Sequence, residues 1–292
     1  DGPAGHARPD AMIFAHRHGS WDFGPGERAR VVGVLNLTPD SFYDGGRHTD
    51  AGRALDHALR LTAEGADALD IGGLSTRPDQ GAHVGPDEEW RRLEPVLTSL
   101  AGRVSIPLSV DTYRASVARR ALEAGISMIN DVSGLTADPE MAGVVADSGA
   151  GLVLMHALGA PEAMHSPREY GDVGLEVRDF LAARMAEAVA RGVAPERIAL
   201  DPGIGFSKRA DQSVAALRAL PLLTALGRPL YIGVSRKSFL GQLTGRPVEE
   251  RLPASLGAAV AAVALGARIV RTHDVAATRD ALLAAEALLH HE

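Results

Sequence analysis

Apolar residues along this chain gather into short runs that stop at a polar residue, and between the runs they recur every three or four positions. The runs are VVGVLN, ending at Asn36; DALDIGG, residues 67–73; IPLSVD, ending at Asp111; ISMIND, ending at Asn130 and Asp131; AGLVLMH, ending at His156; RIALD, ending at Asp201; PLYIGVS, ending at Ser235; and ARIVR, ending at Arg271. Each reads as a buried strand. The stretches AGRALDHALRLTAEGA, EEWRRLEPVLTSLA, RASVARRALEAG, VRDFLAARMAEAVARG and ASLGAAVAAVALGA read as amphipathic helices. Several helices close on glycine, at Gly65, Gly125, Gly192 and Gly266, where a left-handed residue can end a helix.

Strands that alternate with helices predict parallel strands joined by helical crossovers. Eight such units over about 250 residues predict an α/β fold of the closed (β/α)8 TIM-barrel type. An open doubly wound sheet would carry a G-x-G-x-x-G turn after its first strand, whereas Leu35 is followed by NLTPDSF. Residues 12–28 read as a hairpin, with HGS and GPG as turn signals, placed to plug the bottom of the barrel. The chain therefore divides into an N-terminal extension and hairpin over residues 1–30 and a barrel over residues 31–292.

Composition narrows the chemistry. There is no cysteine among 292 residues, which excludes disulfides, thiolate metal sites and a cysteine nucleophile. That usage fits a reducing cytoplasm. No apolar run reaches the ~18 residues of a membrane span, and the N-terminal segment lacks the basic-then-apolar pattern of a signal peptide. The net charge is −7 with both signs interspersed, so no nucleic-acid partner is expected. The cations are arginines apart from Lys208 and Lys237. Two retained lysines are either surface survivors or positions that need a compact ammonium rather than a guanidinium fork.

In a barrel, polar residues at the C-terminal ends of strands converge on one mouth, where active sites sit. Here they are Asn36, Asp111, Asn130, Asp201, Ser235 to Lys237, Arg271 and His273. An Asp or Asn after a strand also serves as a helix cap, but Lys237 and Arg271 do not. Asp111, Asn130, Asp201 and Lys237 offer carboxylates, an amide and a cation, matching the paired N–H donors and ring carbonyl of a 2-aminopyrimidinone such as guanine or a pterin. Asn36, Arg77, Arg271 and His273 suit a phosphate or diphosphate, with the Asn36 oxygen completing the shell of a phosphate-bound Mg²⁺. The loops TPDSFYDGGRHTD and LSTRPDQGAHVGPDEE are long enough to close over a ligand. No H-E-x-x-H or G-x-S-x-G occurs, and the histidines are scattered, which argues against zinc and serine-hydrolase chemistry. A Schiff-base lysine at position 237 is the remaining alternative, and Lys237 lies beyond the strand end for it.

The fragments GVLNLTPDSFYDGG, GGLSTRP, SVDTYR, INDVSG, VLMH, LDPGIGFSK, GVSRKSFLG and VRTHDV occur in order between residues 31 and 275. Together they resemble the dihydropteroate synthase family of pterin-binding barrels. The resemblance implies a cytoplasmic homodimeric TIM barrel of folate biosynthesis and a sulfonamide target. Its members condense 6-hydroxymethyl-7,8-dihydropterin diphosphate with 4-aminobenzoate and release diphosphate. By that resemblance Asn36 binds Mg²⁺, and Asp111, Asn130, Asp201 and Lys237 hold the pterin with Met155 against its ring. Arg271 and His273 hold the diphosphate. Thr76, Arg77, Pro78 and Phe42 order over the substrates, and Phe206, Lys237 and Ser238 line the aminobenzoate pocket. The chain departs from the family pattern at Leu74, Asp79, Ser207 and Gln212-Ser213. Two other readings share these residues: a pterin-binding paralogue without synthase activity, and a methyltetrahydrofolate methyltransferase, which would need a corrinoid partner and no diphosphate ligands.

Overall fold

The computed structural model of the chain describes residues 12–24, 26–37, 47–73, 84–159 and 161–289. Two strands, β1 (Ile13–His16) and β2 (Gly19–Asp22), pair antiparallel with Phe14 opposite Trp21. Eight further strands follow: β3 (Arg30–Asn36), β4 (Ala68–Gly72), β5 (Leu108–Asp111), β6 (Met128–Asp131), β7 (Gly151–Met155), β8 (Ile198–Asp201), β9 (Leu230–Gly233) and β10 (Ala267–Thr272). They pair in chain order, all parallel, and β10 closes on β3. This is the expected (β/α)8 barrel with its hairpin.

The helices between the strands are α1 (Arg47–Ala63), α2 (Pro86–Leu100), α3 (Ala115–Glu123), α4 (Met141–Ser148), α5 (Val173–Ala190), α6 (Ala210–Arg218), α7 (Leu220–Thr224), α8 (Ser238–Thr244), α9 (Leu252–Ala264) and α10 (Val275–Leu289). Among the described residues none is long and apolar enough to cross a membrane. The helix-closing glycines at 65, 125, 192 and 266 all have positive φ, between +93° and +107°.

Side chains alternate along each strand, and that parity builds two apolar layers. Outward residues such as Leu69, Ile129, Leu152, Leu200, Ile232 and Val270 pack under the helices. Inward residues Val32, Ala68, Met128, Val153, Ala199, Tyr231 and Ile269 fill the lower barrel with Phe14, Trp21 and Phe23. The hairpin is thus the plug the sequence suggested, and the Phe14 and Trp21 rings lie 5.8 Å apart. Two residues further along each strand, the same inward parity lifts Asp70, Asn130, Met155, Asp201 and Arg271 to the layer above, beside Asp111 at the end of β5. The mouth chemistry therefore stands on a packed floor, and its side chains are held by strands rather than by loops.

Candidate active site

Adjacent strand ends bring the predicted residues together. Asn36 is in register with Gly72, Gly72 with Asp111, and Asp111 with Asn130. Across the barrel, Met155 is in register with Asp201. Most of the acidic roster is not used in helix capping. The helix after β5 is capped instead by Asp138, whose carboxylate accepts from the Ala115 N–H at 2.8 Å. Asp131 closes a turn rather than capping a helix, accepting from the N–H groups of Ser133 and Leu135 ahead of the helix that begins at Met141.

Arg271 reaches inward, where its Nε donates to Asp70 Oδ2 at 2.7 Å and its Nη2 lies 3.4 Å from Asp111 Oδ2. Burial disfavours the guanidinium charge, but the Asp70 and Asp111 carboxyls beside it outweigh that and hold the Arg271 pKa above its usual value. Burial, and then the Asp70 charge, push Asp111 up to about 7 against the pull of Arg271. Asp70 was not among the sequence candidates. It is fully buried, and the same Oδ2 also accepts from Asn130 Nδ2 at 3.0 Å. A carboxylate inside the run ALDIG was the available signal, because a buried acid needs partners.

The opposite wall is built on the loop after β8. Gly203 adopts φ +65°, and a Cβ there would lie 1.9 Å from the His156 carbonyl oxygen, so only glycine lets this loop cross the end of β7. Asp201 Oδ1 accepts from the Gly203 N–H at 2.7 Å. Burial raises the Asp201 pKa, and Lys237 opposes that rise. Lys237 precedes α8, donates from Nζ to the Ile204 carbonyl and lies 4.5 Å from the Phe206 ring centroid. Burial lowers its pKa to about 8, with Asp201 opposing. Phe206 packs beside Met155, Ala157 and Met164. Ser238 is exposed at the first turn of α8.

Lys208 is no surface survivor. It is 5% exposed and donates to the carbonyls of Gly203 at 3.0 Å and Phe206 at 3.1 Å, with His156 Nδ1 at 2.8 Å. Burial lowers its pKa to about 7; burial and Lys208 together drive His156 down to about 3, so the imidazole is neutral. Ser207 takes φ +53°, in the left-handed region that favours glycine. Its hydroxyl bridges to Leu158 N–H and the carbonyls of Leu158 and Met164 at 2.9–3.1 Å.

His273 is exposed, with Nδ1 2.9 Å from Ser235 Oγ. The segment is clasped by Arg236, which pairs bidentately with Asp274 at 2.9 and 2.6 Å. Phe42, Thr76, Arg77 and Pro78, with Leu74 and Asp79, lie outside the described residues. The stretch before α2 is met at Val84, whose carbonyl accepts from Arg114 at 2.6 Å; Arg114 also pairs with the buried Glu89.

Residues 32–273 match the pterin binding enzyme family model. The chain belongs to the dihydropteroate synthase family. A dihydropteroate synthase from Neisseria meningitidis serogroup C is 48% identical over 90% of this chain and 93% of its own length. The Xanthomonas albilineans dihydropteroate synthase with 4-aminobenzoic acid superposes with a TM-score of 0.86 at 43% identity, covering 94% of this chain and 96% of that one. The same organism's dihydropteroate synthase in complex with 7,8-dihydropteroate gives 0.81 at 43% identity, covering 91% and 95%.

Proposed function

We propose that this synthase condenses 6-hydroxymethyl-7,8-dihydropterin diphosphate with 4-aminobenzoate at the barrel mouth, with the pterin seated among Asp111, Asn130, Asp201 and Lys237. The observation that carries the seating is Asn130. Its Nδ2 is committed to Asp70, while its buried Oδ1 has no partner within the protein. An orphaned buried acceptor costs about 1–3 kcal/mol, so the site favours a ligand with N–H donors. Asp201, with its second oxygen, accepts the neighbouring donor of the aminopyrimidinone edge. The Lys237 ammonium donates to the ring carbonyl, and Met155 covers the ring face.

The diphosphate then points toward Asn36, Arg271 and His273. No cluster of three His, Asp or Glu side chains stands together among the described residues to hold a bare divalent ion. An Asn36 oxygen at the end of β3 instead fits a Mg²⁺ that keeps waters and phosphate oxygens. Such an ion, when bound, neutralises charge on the departing diphosphate. Arg271 and His273 stabilise the same charge from the protein side. The C–O bond to the pterin methylene breaks early, and the acidic side chains of Asp111 and Asp201 steady the cationic methylene. The 4-aminobenzoate nitrogen attacks it and loses its proton to solvent. Phe206 and Ser238 line the amine pocket; Phe42, Thr76, Arg77 and Pro78 cover both substrates. The assembly is a cytoplasmic homodimer of a residue 31–292 barrel with its residue 1–30 extension, and sulfonamides compete for the amine pocket.

Diphosphate release measured with dihydropterin diphosphate, Mg²⁺, and with or without 4-aminobenzoate tests the reading. Release that depends on the amine is the expected result. Bound pterin without amine-dependent release would make the chain a binding paralogue instead.

Ser207 offers a test of the amine side. Ser207→Gly removes the hydroxyl bridge to Leu158 and Met164 while relieving the positive φ. The KM for 4-aminobenzoate is expected to rise severalfold, with pterin affinity by calorimetry unchanged. A parallel loss of both would place Ser207 in the pterin wall.

A further inference from the structure

Asp70 lies below the substrates, and nothing in the mechanism above uses it. Its Oδ2 nevertheless accepts from two residues of the two halves of the site: Asn130 Nδ2 on the pterin side at 3.0 Å and Arg271 Nε on the diphosphate side at 2.7 Å. An amide can present either end to a ligand, and the two ends carry opposite hydrogen-bonding sense. A carboxylate accepts only. With Asp70 beneath it, the Asn130 amide turns its Nδ2 down and is left with Oδ1 for whatever lies above. Asp70, Asn130 and Arg271 are all on inward parity at the same layer of a closed barrel, so none can drift away.

We propose that Asp70 is a positioning residue that sets the sense of the Asn130 amide, and through it the preference of the site for a 2-amino over a 2-oxo ring edge. The inference rests on the pterin reading above. A 2-amino ring offers a donor to Asn130 Oδ1. A 2-oxo ring of the lumazine type offers a carbonyl oxygen in its place, and two acceptors face each other. Without a carboxylate at position 70 the amide is free to reverse and to donate to that carbonyl.

Three chains separate this role from a structural one. Asp70→Leu keeps the shape and removes both acceptor oxygens. Asp70→Asn keeps one oxygen that can accept from both Asn130 and Arg271. Asp70→Ser, too short to reach both donors, serves if the leucine chain does not fold. The measurement is calorimetric affinity for 6-hydroxymethylpterin and for the matching 6-hydroxymethyllumazine. Wild type is expected to prefer the 2-amino compound by at least ~10-fold, the worth of one mispaired buried group. Asp70→Asn should keep that ratio. Asp70→Leu or Asp70→Ser should bring it to within about threefold of parity. A loss of affinity equal for the two compounds, or an unchanged ratio in the leucine chain, overturns the role of Asp70 and leaves the pterin reading standing. A wild-type protein that binds neither compound overturns both.

Discussion

Lys237→Ala is expected to abolish pterin binding, weakening calorimetric affinity for 6-hydroxymethyl-7,8-dihydropterin by roughly 100-fold or more. The ammonium contributes a charge-assisted hydrogen bond, about 1.5–3 kcal/mol, and its contact with the Phe206 ring adds about 0.5–2 kcal/mol of cation–π attraction. The alanine removes both and leaves the Ile204 carbonyl without its donor. It also removes the cation that opposes the burial of Asp201, so that carboxyl becomes easier to protonate and a poorer partner for two N–H donors. Lys237→Arg should not restore binding. The ammonium is a compact point donor held between the Ile204 carbonyl and the Phe206 ring, and a longer planar fork does not reproduce that placement. Affinity within threefold of wild type in Lys237→Ala would remove Lys237 from the pterin site.

That Lys237 could be read from sequence at all follows from its setting. A chain that places arginine at nearly every other cation keeps lysine at two positions, and both are enclosed and use a compact ammonium. Lys237 lies at the barrel mouth beside Phe206; Lys208 ties the Gly203 and Phe206 carbonyls of the loop after β8. Asn36, Asp111, Asn130 and Asp201 were equally legible, because strand ends in a parallel barrel point to one mouth. Asp70 was not, because it lies inside its strand rather than at the end. The parity that places Ala68 inward also places Asp70 inward, and applying period two within each run would have found it. Ser207 is visible as a departure from the family pattern, but its hydroxyl bridge is not, since Leu158 and Met164 lie more than forty residues away. The charge of Arg271 suits a diphosphate in sequence, but its acidic partners are not visible there. Its two acidic partners come from β4 and β5, and only closure of the barrel brings β10 to the same layer.

Those partners make Arg271→Met the second large effect. The length-matched apolar side chain removes the cation that we propose stabilises the leaving diphosphate, and on that reading kcat is expected to fall on the order of 10²–10³-fold, as loss of a charge-stabilising donor does. It also leaves Asp70 and Asp111 together without their counter-charge. Asp111 already titrates at about 7, raised from 3.8 first by burial and then by Asp70. A carboxyl whose folded pKa lies above its unfolded value takes up protons on folding, so its contribution to stability falls as pH rises from about 4 through 7. Arg271 opposes that rise, and its loss pushes Asp111 further up and widens the window. Thermal melts at pH 5 and pH 8 should therefore diverge more in Arg271→Met than in wild type, with the variant weaker at pH 8. Pairing Arg271→Met with Asp70→Asn removes one of the two unmatched carboxyls and should close most of that gap without restoring kcat. An Arg271→Met chain that melts alike at both pH values would show that the two acids are not held apart by this guanidinium. One that turns over within threefold of wild type would take the leaving diphosphate away from Arg271.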